Sequence, residues 1–105
     1  MEGTIIENSL ADKSVLDGLT IIKTWTDEDW ILHDVVVNDS QIECIQKALD
    51  IGPWYVHFWK DDAITVVYRD KIFHITKSDK DTWKEAMVHG KSLGIPAEQL
   101  DFLTT

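Results

Sequence analysis

Between residues 54 and 76 the chain alternates three short apolar runs with two charged dipeptides. The runs are 54–60, 63–69 and 72–76, and the dipeptides are Asp61-Asp62 and Asp70-Lys71. Runs of this length, rich in aromatic and β-branched residues, read as strands. A connection of two residues leaves room only for a tight hairpin turn, so the three strands must pair antiparallel as a meander. The turns also set the register. They predict Trp59 opposite Ile64, His57 opposite Val66 and Tyr55 opposite Tyr68, then Tyr68 opposite Phe73 and Val66 opposite Ile75. Side chains alternate between the two faces of a strand. One face therefore carries Tyr55, His57, Trp59, Ile64, Val66, Tyr68, Phe73 and Ile75, and we read it as the core face.

The rest of the chain supplies a second hairpin and the helices. Residues 4–7 are expected to be a short edge strand or loose. Ser9-Leu10-Ala11-Asp12 has the shape of a capping box and predicts a short helix over 10–17, stopped by Gly18. Residues 19–26 and 30–37 read as a hairpin around the polar turn 26–29. Ser40-Gln41-Ile42-Glu43 is a capping box for a helix that runs to about Asp50 and stops at Gly52-Pro53. Ser78 is placed to cap a long helix over 79–93, whose apolar stripe is Trp83, Ala86, Met87, Gly90 and Leu93. Pro96 opens one further turn over 97–100, and Leu100, Phe102 and Leu103 are expected to tie the C-terminus to the core. The predicted fold is α+β: an antiparallel sheet of about five strands, hairpin plus meander, in the order α-β-β-α-β-β-β-α, with the two main helices packed mainly on one face.

A length of 105 residues predicts one domain, 1–105, able to bury its own core. The formal charge of −9 excludes a nucleic-acid or anionic-membrane surface, which needs clustered Lys and Arg. The first residues lack the basic and apolar stretches of a secretory signal, and no apolar run approaches a membrane span. With Cys44 as the single cysteine, no internal disulfide can form. A cytoplasmic location is the expectation.

The second face of the meander carries Trp54, Val56, Phe58, Lys60, Ala63, Thr65, Val67, Arg69, Ile72, His74 and Thr76. It is too apolar to stand in water uncovered. Three coverings are open: the chain itself, a homodimer with two sheets face to face, or a ligand or protein partner. In the last case Trp54 and Phe58 supply apolar contact, while Arg69 and His74 fix a polar group such as a carboxylate or phosphate.

Specific chemistry is largely excluded. His89-Gly90-Lys91-Ser92 ends like a phosphate-binding loop, but Glu85 stands where that pattern needs glycine, and the segment lies inside a helix. The histidines, His33, His57, His74 and His89, are separated by 24, 17 and 15 residues and match no compact metal motif. No metal or cofactor is expected. His33 and Asp34 point to opposite faces of a strand and cannot form a dyad with each other. His74, near Arg69 on the outer face, is the most usable acid–base group, but no catalytic set surrounds it, so an enzyme is not the expected reading.

The phrases Gly52-Pro53-Trp54-Tyr55-Val56-His57-Phe58-Trp59, Val66-Val67-Tyr68-Arg69-Asp70-Lys71-Ile72-Phe73 and Leu93-Gly94-Ile95-Pro96-Ala97-Glu98-Gln99-Leu100-Asp101-Phe102 resemble a set of small bacterial proteins of about this length. The resemblance implies a stand-alone bacterial or archaeal cytoplasmic protein and supplies no activity. The expected function is a non-enzymatic small-ligand or protein-interaction module acting through the outer face of the meander. The alternative is an acidic, antitoxin-like inhibitor of a basic partner.

Overall fold

A computed structural model describes the chain at residues 1–100 and at Phe102. Six strands make one antiparallel sheet: β1 (Glu2–Ile6), β2 (Thr20–Asp27), β3 (Trp30–Val36), β4 (Tyr55–Lys60), β5 (Ala63–Tyr68) and β6 (Ile72–Thr76), in the spatial order β2-β3-β1-β4-β5-β6. The helices are α1 (Asp39–Ala48) and α2 (Lys84–Ser92), with 3-10 turns at Glu7–Ser9, Lys13–Gly18, Lys80–Trp83 and Ala97–Gln99. The fold is α+β, with six strands in place of the expected five. The additional one is β1, which is neither loose nor at an edge. It pairs with β3 from Glu2↔Val36 to Ile6↔Leu32, and with β4 at Glu2↔Trp59 and Gly3↔Phe58. It joins the hairpin to the meander.

The first meander turn is the one expected, with Lys60↔Ala63 closing Asp61-Asp62 and Tyr55 opposite Tyr68. The second turn moves back by one residue. Tyr68 and Lys71 exchange backbone hydrogen bonds around Arg69-Asp70, so Val66 faces Phe73 and Ile64 faces Ile75. Each partner slides by two positions, which changes the pairs and preserves every side chain's face.

The larger correction concerns the layers. The helices do not share a face. α1 lays Ile42, Ile45 and Ala48 on the side carrying Ile5, Val35, Val56, Phe58 and Val67. The other side, with Ile64, Val66, Tyr68 and Ile75, packs against Trp83, Ala86, Ile95, Leu100 and Phe102. The middle of the meander is thus covered twice, and Ile64 through Tyr68 are all buried. Each large side chain so buried stabilises by roughly 1.5–3 kcal/mol. Leu103 lies outside the described residues.

Helix starts also differ from the sequence reading. Asn38, not Ser40, caps α1: its side chain accepts from the Gln41 N–H, and the Gln41 side chain accepts from the Asn38 N–H. This is the same reciprocal box two residues earlier. Ser78 is drawn to Asp62, so Asp79 caps the 3-10 turn ahead of α2. The helix expected over 10–17 forms only in part, as the 3-10 helix Lys13–Gly18, which starts three residues late with the Asp12 side chain accepting the Ser14 N–H. Ser9 donates its hydroxyl to the Ile6 carbonyl, while the Ala11 and Asp12 N–H groups go to the Ala48 carbonyl. Backbone donors taken by another element cannot also serve a local helix.

Candidate functional site

The four residues expected to form a working surface do not form one. Phe58 is fully buried beneath α1. Arg69 is exposed, and its Nε donates to the Leu49 carbonyl at 3.0 Å, fastening the second meander turn to the end of α1. His74 is exposed on β6, with Nδ1 3.4 Å from the Thr65 hydroxyl. Trp54 is half-buried against Trp30, ring centroids 5.6 Å apart and planes at 73°. The expected outer face is therefore largely filled by the chain itself, and the residue that leads to an open surface is Trp54.

That surface lies on the other side of the sheet, over β2, β3, β1 and the start of β4. Strand alternation sends Trp25, Trp30, Leu32, Asp34, Thr4 and Ile6 to this side. All six are exposed or half-buried. α2 and the segment after it pack over the meander half of the same side.

A cleft opens where the two halves meet. The β1–β4 ladder is only two residues long, Glu2↔Trp59 and Gly3↔Phe58. Continued pairing would have set Thr4 opposite His57 and Ile6 opposite Tyr55. Instead these residues line a cavity of about 500 Å³ together with Asp27, Trp30, Leu32 and Trp54. A volume in this range suits a small molecule.

Two turns shape its mouth. Gly52, at φ +131°, takes a backbone that other residues rarely adopt, and the Trp54 N–H closes back on the Gly52 carbonyl. Glu28, at φ +54°, makes the tight β2–β3 turn that starts β3 at Trp30. Asn8 steadies that hairpin, donating to the Asp29 carbonyl and accepting from the Ile31 N–H. On the other wall, the Tyr55 hydroxyl donates to the Gln99 carbonyl, and the ring stacks on His57 at 22°.

The polar lining is sparse: Thr4, Asp27, Tyr55, His57 and Gln99. Asp27 sits directly across the β2–β3 ladder from Trp30. Neither Lys nor Arg lines the cavity among the described residues. Asp34, next along this face of β3, accepts the Thr4 hydroxyl at 2.6 Å.

A second polar cluster lies on the α1 side. Thr24 Oγ1 is 2.7 Å from Nδ1 of His33, and His33 Nε2 is 3.1 Å from Glu7 Oε1. Hydroxyl, imidazole and carboxylate stand in the order of an acyl-transfer triad. Sequence reasoning missed the set because cross-strand pairing joins Thr24 to His33 and the turn after β1 delivers Glu7. His33 is buried, and one neutral tautomer satisfies both neighbours. The cluster lies away from the cavity and is explained by the need to pair a buried imidazole.

Cys44 is exposed on α1. Among the described residues no three His, Cys, Asp or Glu side chains gather as a metal site, and no helix is long and apolar enough to cross a membrane. Comparison with protein-family models, curated proteins and solved structures finds no match to this chain.

Proposed function

We propose that the protein is a non-enzymatic binding module that takes a small ligand into the cleft between β1 and β4. The observation that carries this reading is the early end of the β1–β4 ladder, which leaves a cavity of about 500 Å³ walled by Trp30, Trp54 and Tyr55. Indole faces standing partly in water cost free energy that a bound ligand recovers. Few polar groups converge there, which suits recognition by shape and apolar contact.

A thermal-shift screen of small molecules against wild type and Trp54→Ala tests the reading. Hits that stabilise wild type and not the variant support it. A screen in which every hit stabilises both proteins equally would remove the cleft from consideration.

The hairpin tip favours a second reading. Asp27, Glu28 and Asp29 are all exposed beside the cleft, in a chain of net charge −9. Such a tip suits an inhibitor of a basic protein, and association of that kind weakens steeply with salt.

A further inference from the structure

We propose that the ligand of this cleft is a small organic cation of the quaternary or methylated ammonium class, an inference that rests on the reading of the cleft as a ligand site. The first ground is the arrangement of rings. Trp30 and Trp54 meet at 73° with centroids 5.6 Å apart, so the two indoles form a corner. Tyr55 stands on the β4 wall of the same cavity. The face of an aromatic ring is the negative end of its quadrupole, and indole is the strongest of the natural rings in attracting a cation. A corner of two indoles presents such surface from two directions to a rounded, methylated charge.

The second ground is the sign of the field. Asp27 is the directly opposed cross-strand partner of Trp30, which sets its carboxylate on the same face as the indole. No Lys or Arg among the described residues lines the cavity, and the whole chain carries −9. An anionic ligand would meet the Asp27 carboxylate with no lysine or arginine to offset it. A cation uses the rings and the carboxylate together.

The third ground is desolvation. A primary ammonium is strongly hydrated and needs hydrogen-bond acceptors to replace its water. A methylated ammonium spreads its charge over carbon and needs apolar surface, which this cavity supplies through Ile6 and Leu32.

The test uses the full chain and two probes of equal shape: choline, and its uncharged carbon analogue 3,3-dimethyl-1-butanol. Titration is followed by calorimetry and by tryptophan fluorescence. Choline is expected to bind about tenfold or more tightly than the analogue, the scale of a single good cation–π contact. Trp54→Ala should abolish the difference, and Asp27→Asn should weaken choline by about tenfold and leave the analogue unchanged. Asp27 is exposed, so its amide variant keeps the test valid even where a tryptophan variant folds poorly. Equal binding of the two probes would overturn the cationic assignment and leave the cleft as a ligand site. Failure of both probes would overturn it too. The cleft reading then stands or falls separately, on whether any screening hit is lost in Trp54→Ala.

Discussion

Gly3 lies against Phe58 so closely that there is no room for a side chain between them: a Cβ at Gly3 would fall 2.7 Å from the His57 carbonyl oxygen and closer still to the Phe58 ring. This contact sits in the two-residue ladder that joins the halves of the sheet. Gly3→Ala should therefore cost about 1–3 kcal/mol or more by overpacking. Urea denaturation of Gly3→Ala, Phe58→Leu and the double variant checks it. The double variant should recover part of the loss, since the two changes share one contact. Strictly additive losses would show that the clash is relieved elsewhere.

The tryptophans should separate by role. Trp83 is buried, and its indole N–H donates to the Thr76 carbonyl at 2.8 Å. Trp83→Ala should destabilise by about 3–5 kcal/mol. Trp30 is 39% exposed, so Trp30→Ala should cost clearly less and act on ligand binding. Melting curves of the two variants side by side give the answer.

Arg69→Ala and His74→Ala should leave ligand binding in the cleft unchanged. Arg69 holds the Leu49 carbonyl and His74 lies on β6, and neither lines the cavity. Arg69→Ala should lower stability by about 1 kcal/mol through the lost hydrogen bond. A loss of binding in either variant would return the site to the α1 side of the meander.

Tyr68 gives an alkaline signature. Burial, and secondarily the neighbouring Tyr55, push its phenol well above the ordinary tyrosine range, and its hydroxyl donates to the Ala86 carbonyl at 2.6 Å. The folded state holds this proton more tightly than the unfolded chain. Its contribution is complete below the unfolded value, near pH 10, and is lost as pH rises through the folded one. Tyr68→Phe should cost about 1 kcal/mol at neutral pH. The gap between the two proteins should narrow above about pH 10, read from urea midpoints at several pH values.

Acid should show the opposite sign at one surface pair. The hydrogen bond from His89 holds the Asp70 carboxyl below its ordinary range. The pair stabilises above the unfolded carboxylate's titration and loses its effect as pH falls through the folded one. Both Asp70 and His89 reach solvent, so Asp70→Asn should change the urea midpoint only slightly at neutral pH.

What was legible in the sequence was local. The turn Asp61-Asp62 and the alternation along 55–76 sort the paired meander side chains onto their observed faces, because a two-residue reversal and the pleat leave no other arrangement; Trp54 lies ahead of β4 and turns to Trp30 instead. The slip of the second turn from Asp70-Lys71 to Arg69-Asp70 is invisible to that logic, since a shift of two positions keeps parity. The stripe Trp83, Ala86 and Gly90 was likewise readable from helical spacing, and all three are buried.

Which face meets water was not local. Alternation says that Phe58 and Tyr55 point opposite ways, but not that α1 will bury Phe58 or that Tyr55 will flank an opening. Those outcomes depend on β1 inserting between β3 and β4, strands far from it in the chain, and on the helices docking on opposite sides. The cleft with Trp30 and Trp54 exists because that insertion pairs only two residues with β4. Residue parity is set by neighbours one and two positions away, whereas the cleft is set by contacts more than fifty residues apart, which only the folded chain brings together.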